Sequence, residues 1–95
     1  MKSLEGRVAV VVNGGAEPGR SVALLLAAKG VHIVVCGPDE KTIAETVGEI
    51  AYGGGKARHV VGDAMAARAR AREVFGEADF VVDCAGAPVA ADGGP

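Results

Sequence analysis

The stretch Asn13-Gly14-Gly15-Ala16-Glu17-Pro18-Gly19-Arg20-Ser21 carries most of the chemistry this chain offers. It follows the apolar run Val8 to Val12 and precedes a helix-like run, Val22 to Lys29. A glycine-rich turn between a strand and a helix suits a phosphate, because the first helical amides point outward at the positive end of the helix dipole. Two loops have this outline. The spacing Gly14-x4-Gly19-Arg20-Ser21 is one substitution from the triphosphate loop G-x4-G-K-[ST]. It is also the outline of a dinucleotide loop that has lost one residue.

Other reactive groups are sparse. His32 and His59 fall inside strand-like runs, where a packed or edge imidazole is expected rather than a ligand. Cys36 and Cys84 are too few and too far apart for a metal knuckle and are expected as small apolar fillers. No pair of carboxylates makes a separate active site, and no catalytic or metal residue is assigned. Arg68, Arg70 and Arg72 form the only basic cluster, and helical geometry puts Arg70 on a different face from the other two. They are expected on a solvated helix surface.

The elements that must position the loop are legible from the apolar pattern. Arg7 to Val12, "VHIVVC" at 31–36, Ala57 to Val61 and "DFVVDC" at 79–84 are β-branched runs of the kind buried on both faces of a sheet. Between them lie helix-like segments. One follows the glycine turn and stops at Gly30. The next opens at Asp39 as N-cap, carries Ile43, Val47 and Ile50 on one stripe, and ends at Gly53-Gly54-Gly55. The last spans Met65 to Phe75. Strands alternating with helices through short links predict a parallel α/β sheet with right-handed crossovers.

Ninety-five residues make one small domain, and 49% apolar content with mean hydropathy +0.29 excludes a disordered chain. Aromatics are 3%, so the core must come from Val, Ile, Leu and Ala. A net charge of −2 gives no general attraction to nucleic acid or to an anionic membrane. No apolar run approaches the length of a membrane span. The N-terminus lacks a signal-peptide core, so a cytoplasmic location is expected.

With these elements in order, the chain resembles the front part of a short-chain dehydrogenase/reductase. "LEGRVAVV" at 4–11 resembles the family's entry to its first strand, and "NGGAEPGRSVALLLAAKG" at 13–30 its T-G-G-A-S-G-I-G-R turn and first helix. Tyr52-Gly53-Gly54 resembles its A-G-G, "FGEAD" at 75–79 its F-G-x-hydrophobic-D, and Asp83-Cys84-Ala85-Gly86 its N-N-A-G. Asp63 follows the third strand, where the family keeps an Asp near the adenine. The resemblance implies a Rossmann-like sheet of about four strands in order 3-2-1-4, helices on both faces, and a ligand at the carboxyl ends beside strands 1 and 4. It implies a dinucleotide-binding half-domain at 1–86 with a loose tail at 87–95. The implied cofactor is NAD or NADP, with candidate binding residues Gly14, Glu17, Gly19, Asp63, Ala64, Cys84, Ala85 and Gly86. In that order Cys36 and Cys84 sit on strands flanking strand 1, roughly 9–10 Å apart, so no disulfide is expected.

The departures from the family pattern matter. The loop is one residue short and lacks the middle glycine, and Pro18 has no N–H to offer a phosphate. Cofactor binding is therefore expected to be weak or lost. Gly37 and Pro38 stand where the family reads the ribose, so NAD and NADP are not separated. Tyr52-x3-Lys56 has the spacing of the family's catalytic Tyr and Lys, but three glycines will not hold the helix that spacing needs. The family's catalytic Ser, Tyr and Lys lie beyond N-N-A-G, so a truncated chain, inactive alone, is expected. An oxidoreductase-derived NAD(P)-binding protein is the first expectation. A non-catalytic dinucleotide-binding or interaction module, pairing with itself or a related chain through strand 79–84, is the second. The third is a P-loop-like nucleotide binder, with "FVVD" at 80–83 as its magnesium strand. Against it, arginine does not replace the compact lysine charge.

Overall fold

The computed structural model describes residues 3–84. Ala85, Gly86 and the tail 87–95 lie outside the described residues. The order is β1 (Val8–Val12), α1 (Gly19–Ala28), β2 (His32–Gly37), α2 (Glu40–Tyr52), β3 (Ala57–Val61), α3 (Ala64–Val74) and β4 (Phe80–Asp83). The four strands form one parallel sheet in the order β3-β2-β1-β4, as expected. Val12 lies opposite Cys36 on one side and Asp83 on the other, so the ends of β1, β2 and β4 are level at the carboxyl edge.

The strand period of two divides the core between the faces. Ala9, Val11, Ile33 and Val35 point to the side covered by α1 and α2, where Ala23, Ile43 and Ile50 meet them. Val8, Val10, Val34 and Cys36 point to the other side, against Ala67 and Ala71 of α3. Burial on both faces is why these strands read as continuous apolar runs. Alanines on α3 bring that helix close to the sheet without bulk.

Short polar contacts set the ends. Asp39 caps α2, its Oδ1 accepting from the Lys41 N–H at 3.2 Å. Asp63 caps α3, its Oδ1 accepting from the Ala66 N–H at 3.0 Å. That cap moves α3 one residue earlier at each end than the expected Met65 to Phe75. Gly30 follows α1 with φ +88°, a left-handed value that glycine takes without strain. Asp79, the last residue of "FGEAD", ties β4 to β1: its Oδ2 accepts the Val8 N–H at 2.8 Å, and its own N–H donates to the Val8 carbonyl at 2.7 Å.

The remaining sequence features find plain roles. His32 stacks against Phe75 with ring centroids 5.0 Å apart, and His59 lies 3.4 Å from a Glu40 carboxylate oxygen. Arg70 pairs with Glu73 and Arg72 with Glu77, each at 3.1 Å on the exposed side of α3. Tyr52 ends α2 and is 96% exposed, while Lys56 lies beyond the glycines that stop the helix. The pair therefore does not share a helical face. No described helix is long and apolar enough to cross a membrane.

Candidate functional site

The site is built where β1 gives way to α1. Asn13 takes φ +60°, and its N–H donates to the Cys36 carbonyl at 2.7 Å. The chain thus leaves β1 leaning toward β2. Gly14 is buried, and a Cβ there would stand 2.5 Å from Val35 Cγ1 and 3.3 Å from Val11 Cγ1. At Gly19 a Cβ would collide with the Asn13 carbonyl oxygen and stand 3.0 Å from Gly14 Cα. Both glycines are demanded by close packing of the loop on β2 and on itself.

A buried hydroxyl holds the loop from below. Thr46 Oγ1, fully inaccessible on α2, donates to the Gly14 carbonyl at 2.8 Å. Sequence reasoning passed over Thr46. The signal was there: it lies three residues after Ile43 and four before Ile50, on the same inward stripe. A polar residue on such a stripe needs a buried partner.

Above the loop a cleft of about 460 Å³ opens at the carboxyl edge. Asn13, Ala16 and Glu17 form one wall, Pro38, Asp39 and Thr42 the other, and Cys84 lies at its end. The expected site residues are distributed around it. Glu17 and Cys84 line the cleft, and Gly14 and Gly19 are buried in the loop beside it. Asp63 and Ala64 lie after β3 at the same edge but do not line this cleft, and the Asp63 carboxylate caps α3. Ala85 and Gly86 fall outside the described residues. Pro38, at the position aligned with the family's ribose reader, and Asp39 and Thr42, which sequence reasoning did not assign to the site, are brought to it by the β2-to-α2 turn.

Several donors in the first turn of α1 are engaged by the loop itself. Pro18 is its N-cap and has no N–H. The Arg20 N–H donates to the Ala16 carbonyl at 2.9 Å, and the Val22 N–H to the Pro18 carbonyl at 3.0 Å. Glu17 Oε1 accepts the Ser21 N–H at 3.2 Å and the Ser21 hydroxyl at 2.5 Å. Arg20 spans two carboxylates, with Nη1 3.0 Å from Glu17 Oε2 and Nη2 2.7 Å from Glu49 Oε2. The Ser21 hydroxyl first, and Arg20 second, hold the Glu17 carboxyl below the usual carboxylate range. On the α3 face of the sheet, burial and the nearby charges of Asp63 and Asp83 push the Cys36 thiol up, so it stays a protonated filler.

A second cleft, about 490 Å³, lies at the amino edge between Gly6, Gly30, Gly53 to Gly55 and Lys56. It faces the C-terminal ends of α1 and α2, whose dipoles disfavour an anion. The carboxyl-edge cleft, with the starts of α1 and α2 beside it, has the opposite polarity and is the better candidate for a phosphorylated ligand.

No protein-family model matches the chain. Among characterised proteins it is similar to the short-chain reductase protein NovJ of Streptomyces niveus, 36% identical over 85 residues that span 83% of this chain. It spans only 32% of that reductase's length. Its fold is similar to that of a hydroxysteroid dehydrogenase from Escherichia coli, with TM-score 0.79 and 26% identity over 85% of this chain and 37% of that one. It also shares its fold, at TM-score 0.76 and 20% identity over 83% of this chain and 30% of the other, with a Haemophilus influenza protein assigned as a D-mannonate oxidoreductase and solved with bound NAD. With the strand order, the loop and these likenesses together, the chain belongs to the short-chain dehydrogenase/reductase family and spans about a third of the length of the relatives it matches.

Proposed function

We propose that this chain is a nicotinamide dinucleotide-binding unit of an oxidoreductase, and that it prefers NAD(H) to NADP(H). The observation that carries the proposal is the carboxyl-edge cleft between the glycine loop and the β2-to-α2 turn. It lies at the carboxyl edge over β1 and β2 and reaches Cys84 after β4, next to the β1/β4 switch point beside which open α/β sheets of this order take their ligands. A dinucleotide there would lay its diphosphate near the start of α1 and its adenosine ribose near Asp39. Two carboxylates, Glu17 and Asp39, line the cleft, and among the described residues no lysine or arginine does. A ribose hydroxyl can donate to a carboxylate, whereas an added 2′-phosphate would meet like charge. Asp63 and Ala64, at the same edge, complete the proposed contacts, together with Ala85 and Gly86, which lie outside the described residues. Weak binding follows from Pro18, which removes one amide from the phosphate end.

Arg20 argues against the triphosphate loop. Its guanidinium is turned to Glu17 and Glu49, away from the post that the lysine of such a loop fills. A second proposal concerns partners. Among the described residues β4 pairs on one side only, with β1, and Val81 is 37% exposed, so this edge suits another strand from a second copy or a related chain.

Calorimetric titration with NADH, NADPH and ATP-Mg tests the main proposal. Heat from NADH, with weaker or absent heat from NADPH, is expected. Magnesium-dependent ATP binding, or NADPH binding as tight as NADH, would overturn it. Light scattering tests the edge pairing, which a monodisperse monomer at high concentration would exclude.

A further inference from the structure

The start of α1 already holds an anion, and the anion is the protein's own. One Glu17 oxygen takes the Ser21 N–H and hydroxyl, and the other takes the Arg20 guanidinium at 3.0 Å. A backbone amide and a hydroxyl at a helix start are donors that a diphosphate also uses. The carboxylate is also part of the cleft wall. It is exposed, so nothing buries it in place, and Arg20 keeps its second partner, Glu49 at 2.7 Å, if Glu17 leaves.

We infer that Glu17 is an internal competitor for the phosphate end of the cleft, a resident carboxylate that an incoming diphosphate must displace. Displacement breaks no covalent bond. The Glu17 side chain turns to solvent, the Ser21 N–H and hydroxyl pass to phosphate oxygens, and Arg20 stays on Glu49. Glu17 thereby acts as a specificity-determining residue, setting how strongly charged a ligand must be to open the site. The inference rests on the dinucleotide proposal for the identity of the ligand. It differs from a purely structural capping role, in which removing the Glu17 charge would weaken the loop and gain no affinity.

The test titrates the wild-type chain, Glu17→Gln, Glu17→Ser and Glu45→Gln with inorganic pyrophosphate and with NADH. Glu17→Gln keeps the acceptor for Ser21 and removes the charge. Glu17→Ser provides a second route should the amide variant fold poorly, and thermal melts establish folding for each. Glu45 lies on the exposed side of α2 outside the cleft, so its variant controls for net charge. Both Glu17 variants should bind pyrophosphate about tenfold more tightly, as expected for removing one like-charge contact near a surface, while Glu45→Gln should match wild type. Tighter pyrophosphate binding with no NADH binding by any protein would uphold the inference and reject the dinucleotide proposal. NADH binding by wild type that the Glu17 variants leave unchanged or weaken would overturn the inference alone. Failure of every variant to bind either compound would overturn both.

Discussion

Glycine-to-alanine substitution should have opposite signs at two positions of this chain, and the pair tests whether the loop is shaped by packing. At Gly48, exposed in the interior of α2, a new Cβ meets nothing within 4 Å. Alanine there gains helix propensity and reduces the freedom of the unfolded chain, together about 0.5–1 kcal/mol. At Gly19 the new Cβ meets only backbone: the Asn13 carbonyl oxygen, then Asn13 C and Gly14 Cα, both at 3.0 Å. No rotamer change can relieve a backbone contact. The loop must move off β2 by several tenths of an ångström, and overpacking of this kind costs about 1–3 kcal/mol. For a domain this size each kcal/mol shifts the melting temperature by about 4–8 °C. Gly48→Ala should therefore melt about 2–8 °C higher than wild type and Gly19→Ala about 4–24 °C lower. Circular dichroism melts at matched concentration read both, and the Gly48→Ala background provides margin if Gly19→Ala alone is unfolded. Equal or higher stability of Gly19→Ala would refute the packing account of the loop.

Three further outcomes are expected. Thr46→Val keeps the shape of the side chain but leaves the Gly14 carbonyl without its donor, so urea unfolding should show a loss of about 1–3 kcal/mol, and an unchanged midpoint would remove Thr46 as the loop's anchor. Glu17 and Glu77 both have folded-state pKa values below the ordinary 4.5, so the unfolded chain takes up protons first as the solution is acidified. Their contribution is present above the ordinary value and lost as pH falls through the lower folded values; a Glu17→Gln/Glu77→Gln double variant should lose less melting temperature than wild type below pH 4.5, and parallel curves would contradict this. Burial raises the thiol pKa of both cysteines, but Cys36 is fully buried and Cys84 only half-buried. A thiol reagent at pH 8 should label Cys84 first and Cys36 slower by about two orders of magnitude, at a rate set by unfolding, and equal rates would mean that the α3 face of the sheet is open.

Much of the fold is legible in the residues because local signals agree. The strand runs have no polar interruption, since both faces are covered, and Asp39, Gly30 and the triple glycine mark helix ends by chemistry that acts within a few residues. Helix α1 shows where such reading stops. Ala23 to Ala28 is apolar throughout, so no period selects a face. Packing on β1, β2 and α2 turns Ala23 inward and leaves Leu25 59% exposed. Asp63 is similar: its position after β3 marks the right edge of the sheet, but its carboxylate is committed to the start of α3.

The sequence alone determined the alternation of elements and the parallel sheet, because periodicity, glycine and capping residues are local and additive; the edge for a ligand came from the family resemblance. Only the tertiary structure decided what fills the turn "NGGAEPGRS". Partners 29 and 32 residues away, Glu49 on Arg20 and Thr46 on the Gly14 carbonyl, fix that loop. With Arg20 drawn to one side, the Glu17 carboxylate settles on the first turn of α1. No spacing within the loop encodes those distances, since they arise only when α2 folds back over β1 and β2.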